Sequence, residues 1–244
     1  MALASISGAL LMRAGTPPFA AIIAMVGIGV AVGFFNGCAV RLLACRPFMV
    51  TLTTMMFFGG FAIWLTKSAN VAGLPVSFLQ IEKGTVWVFP VSLLLAGILA
   101  LATHVLLSRT LYGQWLYATG MNPNTAAASG LPVHRVVIAA YVLCGVCAAI
   151  AGVLLTARLE TGSPVLGQHI LLDVIGAAVI GGTSLSGGRG SIRGTLFGVL
   201  FIALLYNSLN LIGFSYFLVL IVKGAVILAA ALLDALRTRT LAGA

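Results

Sequence analysis

Acidic side chains are almost missing from this chain: Glu82, Glu160, Asp173 and Asp234 are the four among 244 residues. Charged residues of both signs make up 7%, against about 25% in ordinary soluble domains. A soluble protein of this length could not cover its surface with so few charges. Hydrophobic residues reach 61%, above the roughly 45–50% of soluble chains. The scarcity excludes a water-solvated domain and points to a polytopic protein whose solvent is lipid. It also leaves little material for catalysis. Glu82 and Glu160 fall in outer loops, with no scaffold around them that would set them as a glycosidase pair. His104, His134 and His169 are scattered, and no two form a metal-ligand pair with carboxylates nearby. Cys144 and Cys147 have the C-x-x-C spacing, but they lie inside an apolar run without a second ligand pair. With Cys38 and Cys45 they read as small apolar side chains, so no metal site is expected.

What the chain does have is positive charge, a formal +9. The basic residues cluster at the ends of apolar runs, and no basic patch with interleaved aromatics occurs, so nucleic acid is not an expected partner. The runs are Phe19–Val40, Phe48–Leu65, Val86–Leu107, Val136–Ala157, Ile170–Ile180, Leu196–Ile212 and Phe217–Leu236. An earlier run, Ala2–Met12, is shorter than the about 20 residues a span needs and lacks the basic start of a signal peptide. It reads as the tail of a helix, and the chain as an N-terminally truncated form. The expectation is an all-α transmembrane bundle, 1–244, of about seven full spans plus a partial N-terminal helix.

Alternating sides puts Arg41, Arg46, Arg109, Arg135, Arg189, Arg193, Arg237 and Arg239 on one face of the membrane. Arg13, Lys67, Lys83 and Arg158 fall on the other. The richer face is expected to be cytoplasmic, and with it the C-terminus. Glycines inside the spans, among them Gly27, Gly29, Gly33 and Gly37, permit close helix packing.

The stretch from Gly181 to Thr195, GGTSLSGGRGSIRGT, tests as a phosphate loop and fails. Gly182 and Gly187 have the Walker spacing, but Gly188 and Arg189 stand where Lys and Ser belong. Gly188 and Gly190 open a dinucleotide-like pattern, but Arg193 stands where its third glycine should be, and no strand precedes it. The remaining reading is a tight cytoplasmic turn between two spans. Its glycines, Gly187, Gly188 and Gly190 among them, allow positive φ, and Arg189 and Arg193 hold it on the cytoplasmic side.

The longest polar segment, 108–135, is also expected in the cytoplasm. Within it Asn122 is an N-cap and Pro123 the first helical residue. Thr125–Ser129 continues the helix, Gly130 stops it and Pro132 prevents continuation. About two turns, roughly 10 Å, carry nearly all small side chains. Such a helix either slots into a groove on another protein or is an ordinary surface helix.

The wording ATGMNPNTAAASGLPVHRV resembles the coupling helix of membrane subunits of bacterial ABC importers for sugars, the ribose/xylose/galactose permease group. IGGTSLSGGRGSIRGTLFG and YNSLNLIGFSYFLVLIVKGAVILAAALLD are similar to the C-terminal motifs of the same family. The branched-chain amino-acid permeases are relatives whose turn is usually shorter and lacks TSLSGGRG. The resemblance implies a permease dimer, homo- or heteromeric, two cytoplasmic ATPase subunits and a periplasmic sugar-binding protein. It implies alternating access driven by ATP. ATP and Mg would sit on the partner ATPase, with no cofactor and no catalysis on this chain. It implies that Gly120, Asn122, Pro123, Ala126, Ala127, Ser129 and Gly130 couple to the ATPase, and it places the chain in the bacterial inner membrane. Two departures stand out. The family's upstream helices are absent, and Leu171 stands where the family often has Glu.

Several polar residues fall inside spans. Asp173 either hydrogen-bonds sugar hydroxyls or caps its helix. Asn207 and Asn210 share a helix face, and either line the pathway or bond between helices. Lys223 either snorkels outward or pairs with an acid. Trp64 and Trp87 fit an aromatic belt. The competing functions are a branched-chain amino-acid ABC permease and an ion-coupled secondary transporter. Against the latter, no span carries a chain of acids or histidines.

Overall fold

The computed structural model describes residues 1–42, 47–86, 89–168, 170–184 and 187–242. Cys45, Arg46, Trp87 and His169, and the side chains of Arg237 and Arg239, lie outside the described residues. The backbone falls into two compact units. One comprises Met1–Leu101 with Pro132–Gln168, the other Ala102–Leu131 with His169–Ala244.

The first unit contains α1 (Ala2–Arg13), α2 (Pro18–Leu42), α3 (Pro47–Thr66), α4 (Val76–Lys83), a ribbon of β1 (Thr85–Val86) with β2 (Phe89–Pro90), and α8 (Val133–Leu159). It also holds the first part of α5 (Val91–Arg109). Its centre is the seam between α2 and α8. Gly29, Gly33 and Gly37 recur every fourth residue, so they lie on one face of α2. A Cβ on Gly29 would stand 2.5 Å from the Gly145 carbonyl oxygen, one on Gly33 2.5 Å from that of Tyr141, and one on Gly37 2.9 Å from the Ile138 Cα. The two backbones are therefore in direct contact, as dispersion-driven packing in lipid requires. Gly27, expected to share this role, faces open space. At one end of the seam the Arg41 guanidinium donates to the His134 ring.

α1 packs on the same core. Ile6 and Ala9 are fully buried with Met25 of α2 and Phe78 of α4. The buried Thr156 hydroxyl donates to Ser5 Oγ at 2.7 Å. The outer segment is not a plain loop: Glu82 lies in helix α4, and Glu160 is the left-handed C-cap of α8. Lys83 Nζ meets Glu160 Oε1 at 2.5 Å, but both side chains are at least half exposed or nearly so, which makes the pair a weak contributor.

The second unit contains α6 (Leu111–Met121), α7 (Pro123–Ala128), α9 (Ile170–Ile180), α10 (Ile192–Leu211) and α11 (Tyr216–Ala242). Among the described residues, five helices are long and apolar enough to cross a membrane: Pro18–Arg41, Pro47–Thr66, Val91–Arg109, Val133–Leu159 and Ile192–Leu211. Ala2–Arg13, Ile170–Ile180 and Tyr216–Ala230 are shorter apolar helices. The chain is thus an all-α, multi-pass membrane bundle.

One expected span needs correcting. Ile170–Ile180 is a helix of 11 residues, about 16 Å long at 1.5 Å per residue, half the ~30 Å hydrocarbon core. The reason lies just before it. Gly162, Pro164 and Gly167 break the helix pattern, and the segment from Gly162 runs irregularly along α1. Gly162 abuts Ala9 and Ser5, while Gly167 abuts Met1. The segment therefore follows α1 for about 12 Å, the rise of eight helical residues. Gly162, Ser163, Pro164 and Leu166 are buried along the way. Val71 and Gly162 exchange two backbone hydrogen bonds of 2.9 Å at its start. Non-helical backbone at membrane depth is tolerated only where protein or a water-filled cavity surrounds it, and here α1 does so on one side.

The seam makes a direct prediction. Gly33→Leu should destabilise the protein by about 3 kcal/mol, the upper end of overpacking costs, while Gly27→Leu should fall within about 0.5 kcal/mol of the parent. Thermal unfolding of the two variants in detergent measures the difference.

Candidate functional site

The polar segment between α5 and α8 folds as two short helices. Thr110 caps α6, with its hydroxyl accepting from the Gly113 N–H. Asn122 both ends α6 and starts α7: its side-chain oxygen accepts from the N–H groups of Asn124 at 3.0 Å and Thr125 at 3.2 Å. Pro123 occupies the first turn, where its missing N–H costs nothing. At the far end Gly130 adopts φ +80°. Its N–H donates to the Ala127 carbonyl, and the Leu131 N–H to the Ala126 carbonyl, the double bond of a Schellman stop. α7 is therefore closed at both ends by its own local hydrogen bonds.

The side chains of α7 divide unevenly. Ala126 is buried, so of the expected coupling residues it faces inward. Asn122, Pro123, Ala127, Ser129 and Gly130 are exposed. They form a smooth knob without charge.

The glycine-rich stretch forms a turn between α9 and α10, and its glycines serve two separate ends. Gly182, Gly187 and Gly188 take φ of +81°, +93° and +73°, where other residues are strained. Gly181, Gly194 and Gly198 instead let α9 and α10 touch: a Cβ on Gly181 would lie 2.5 Å from the Gly194 carbonyl oxygen, and one on Gly198 would collide with that of Ala177. Ser191 caps α10 by accepting from the Gly194 N–H at 3.1 Å. Gly190 needs no positive φ. It packs against Thr183. Arg189 and Arg193 are exposed.

Sequence reasoning treated this turn and the α6–α7 segment as separate features, and the structure joins them. A Cβ on Gly120 would stand 2.6 Å from the Gly188 nitrogen, and one on Gly187 3.0 Å from the Gly120 carbonyl oxygen. The Tyr117 hydroxyl donates to the Gly190 carbonyl at 2.8 Å. α6 and Tyr117 were not anticipated. The only local signal was Thr110 as a cap, and nothing in the pattern connects Tyr117 to a residue 73 positions later.

A second polar constellation lies on α9, α10 and α11. Lys223 Nζ meets Asp173 Oδ1 at 2.6 Å, with side-chain exposures of 17% and 30%. Of the two fates open to Lys223, pairing with an acid is the one realised. The same ammonium lies 5.3 Å from the centroid of the Tyr206 ring. Asn210, one turn along from Tyr206, donates to the Tyr206 carbonyl at 2.8 Å, which uses part of its amide within the helix. Asn207 is exposed on the neighbouring position. The sequence pairs Asn210 with Asn207 on one helix face and leaves a bond between helices open; the bond seen for Asn210 lies within its own helix, to Tyr206.

The model of the family described as branched-chain amino acid transport system / permease component matches residues 1–231. The chain is similar to a ribose import permease of Bacillus subtilis (strain 168), 42% identical over 236 residues. The alignment covers 96% of this chain and 73% of that one. It is 37% identical to a D-allose transport system permease of Escherichia coli (strain K12), covering 97% of this chain and 73% of the relative. A fructose import permease of Rhizobium meliloti is 34% identical over 217 residues, 85% and 60% of the two chains. No solved structure matches.

The contact between Gly120 and the turn should be measurable without any transport assay. Gly120→Ala should push the turn off α6 and raise the rate of trypsin cleavage after Arg189 at least about threefold, as local opening exposes the backbone. Thr119→Ser, which adds no atom at the contact, should leave the rate unchanged.

Proposed function

Given that the chain belongs to the family of branched-chain amino acid transport permease components, we propose that it is the membrane-spanning subunit of an ATP-driven importer of a monosaccharide. The observation that carries the reading is the 42% identity to a ribose import permease across 96% of this chain. The D-allose and fructose permeases among its relatives favour a sugar over the amino acid of the family's description.

On this reading the subunit pairs with a second permease chain, of the same or another kind. It receives its sugar from a periplasmic binding protein and is driven by two cytoplasmic ATPase subunits. Those subunits hold the ATP and Mg; this chain performs no covalent step. It resides in the bacterial inner membrane. The ends carrying Arg41, Arg109, Arg135, Arg189 and Arg193 face the cytoplasm, and the C-terminus lies on that side, in line with the excess of positive charge there.

The geometry suggests how the drive enters. The exposed Ala127 face of α7 is a small, preformed knob that fits a groove on an ATPase subunit, with Asn122, Pro123, Ser129 and Gly130 around it. Its two caps keep it helical without help from a partner, so a push on α7 moves the helix instead of unwinding it. α6 passes that displacement to the turn where Gly120 meets Gly188 and Tyr117 bonds Gly190. Arg189 and Arg193 flank this joint. From Gly181, where α9 and α10 touch, to Asp173 is eight residues of helix, about 12 Å. We place Asp173, Asn207 and Asn210 along the sugar pathway at that end.

In vesicles with the partner subunits, uptake should require the ATPase and persist when an uncoupler collapses the ion gradient. The opposite pattern would identify an ion-coupled transporter. Ribose uptake unaffected by excess leucine separates the sugar reading from the amino-acid one. Ala127→Arg should leave the protein in the membrane and uncouple ATP hydrolysis from uptake; normal coupling in that variant would overturn the role given to α7.

A further inference from the structure

Asp173 and Lys223 are an opposed pair of charges set within the apolar stretches Ile170–Ile180 and Tyr216–Ala230. A lone charge in hydrocarbon is costly and marks a functional position by default. The pair solves that cost, but it is not built as a sealed clasp. Asp173 keeps 30% of its side chain accessible and Lys223 17%, and the ring under the ammonium belongs to Tyr206, which is 45% exposed. The Lys223 ammonium binds Asp173 Oδ1 and rests over the ring. Beside it, Asn210 has one N–H committed to the Tyr206 carbonyl.

We propose that Asp173, Lys223 and Tyr206, with Asn210 at their edge, form a binding station for a neutral polyhydroxyl ligand. The inference rests on the sugar-permease reading and names residues for its pathway. A hydroxyl both donates and accepts, so neighbouring hydroxyls can donate to the carboxylate and accept from the ammonium without separating the two charges. The face of the Tyr206 ring offers an apolar surface for the C–H side of a sugar, and the Asn210 side chain adds a donor and an acceptor. The opposed charges leave the station without net charge, which suits an uncharged ligand passing through a low-dielectric path. A zwitterion would need the ion pair opened. Lys223 is therefore part of the recognition chemistry, as well as the charge that faces Asp173 in the interval between sugars.

The test uses the assembled transporter, with its ATPase and binding protein, in vesicles, with labelled ribose and allose as probes. The exchange variant D173K/K223D restores an ion pair. It should restore membrane insertion and ATP hydrolysis, while uptake stays at least tenfold down and the ribose-to-allose ratio shifts at least threefold. Full uptake at an unchanged ratio would reduce the pair to a helix clasp and overturn the proposal. If the exchange variant fails to insert, Tyr206→Leu decides, because it leaves the ion pair in place. A ratio changed at least threefold supports the station, and an unchanged ratio sinks it. Should the parent protein take up leucine and neither sugar, the sugar-permease reading itself fails, an outcome separate from any behaviour of the variants.

Discussion

Everything in the first unit depends on two backbones being allowed to touch. Lipid gives apolar side chains no reason to leave it, so helices in a membrane hold together by dispersion and by the few polar groups they share. Dispersion falls steeply with distance, and a single methyl group at Gly29, Gly33 or Gly37 would force α2 and α8 apart. With that seam closed, α1 can rest across both helices, and the Thr156 hydroxyl can reach Ser5. The irregular segment from Gly162 to Gly167 then finds a protein wall along α1.

The second unit uses the same device at smaller scale. Gly181, Gly194 and Gly198 bring α9 and α10 into backbone contact, and Gly120 brings α6 against the turn. Glycine does different work at Gly182, Gly187 and Gly188, where the chain must reverse with positive φ. Mixing the two uses within one phrase explains why the stretch looks like a phosphate loop and is not one. Small residues are needed for turning and for contact, and neither purpose points a row of N–H groups at a ligand. The result is that α7, the turn, α9 and α10 are linked by short, stiff contacts from one end of the unit to the other.

Much of this was legible in the residues. The five long spans followed from runs of apolar side chains, and α7 followed residue by residue from Asn122, Pro123 and Gly130, because caps are local chemistry. That Gly29, Gly33 and Gly37 permit close packing was legible, but neither their partner α8 nor the different position of Gly27 was. What escaped was set by contacts far apart in sequence. α9 reads as a full span because Ile170–Ile180 is apolar apart from Asp173, and composition does not report where a neighbour makes irregular backbone tolerable. Gly27 looks like its companions but faces away. Ala126 and Ala127 are the same residue type, and only the fold separates the buried one from the exposed one. Tyr117 carried no signal of its partner, and Lys223 only that an acid was one of its options, not which acid.

The brevity of α9 has an electrical side. A helix half as long as the hydrocarbon is thick must end inside it, and each helix end carries about half an elementary charge from its aligned peptide dipoles, positive at the N-terminus. At a membrane surface, water and salt screen that charge fully; deeper in the bundle they screen it less. Asp173 lies in the first turn of α9, next to the positive end. The carboxylate thus sits between two sources of positive potential, the backbone of its own helix and the Lys223 ammonium. The breakers at Gly162, Pro164 and Gly167, by halving a helix, bring a positive helix end next to one of only four acids in the chain.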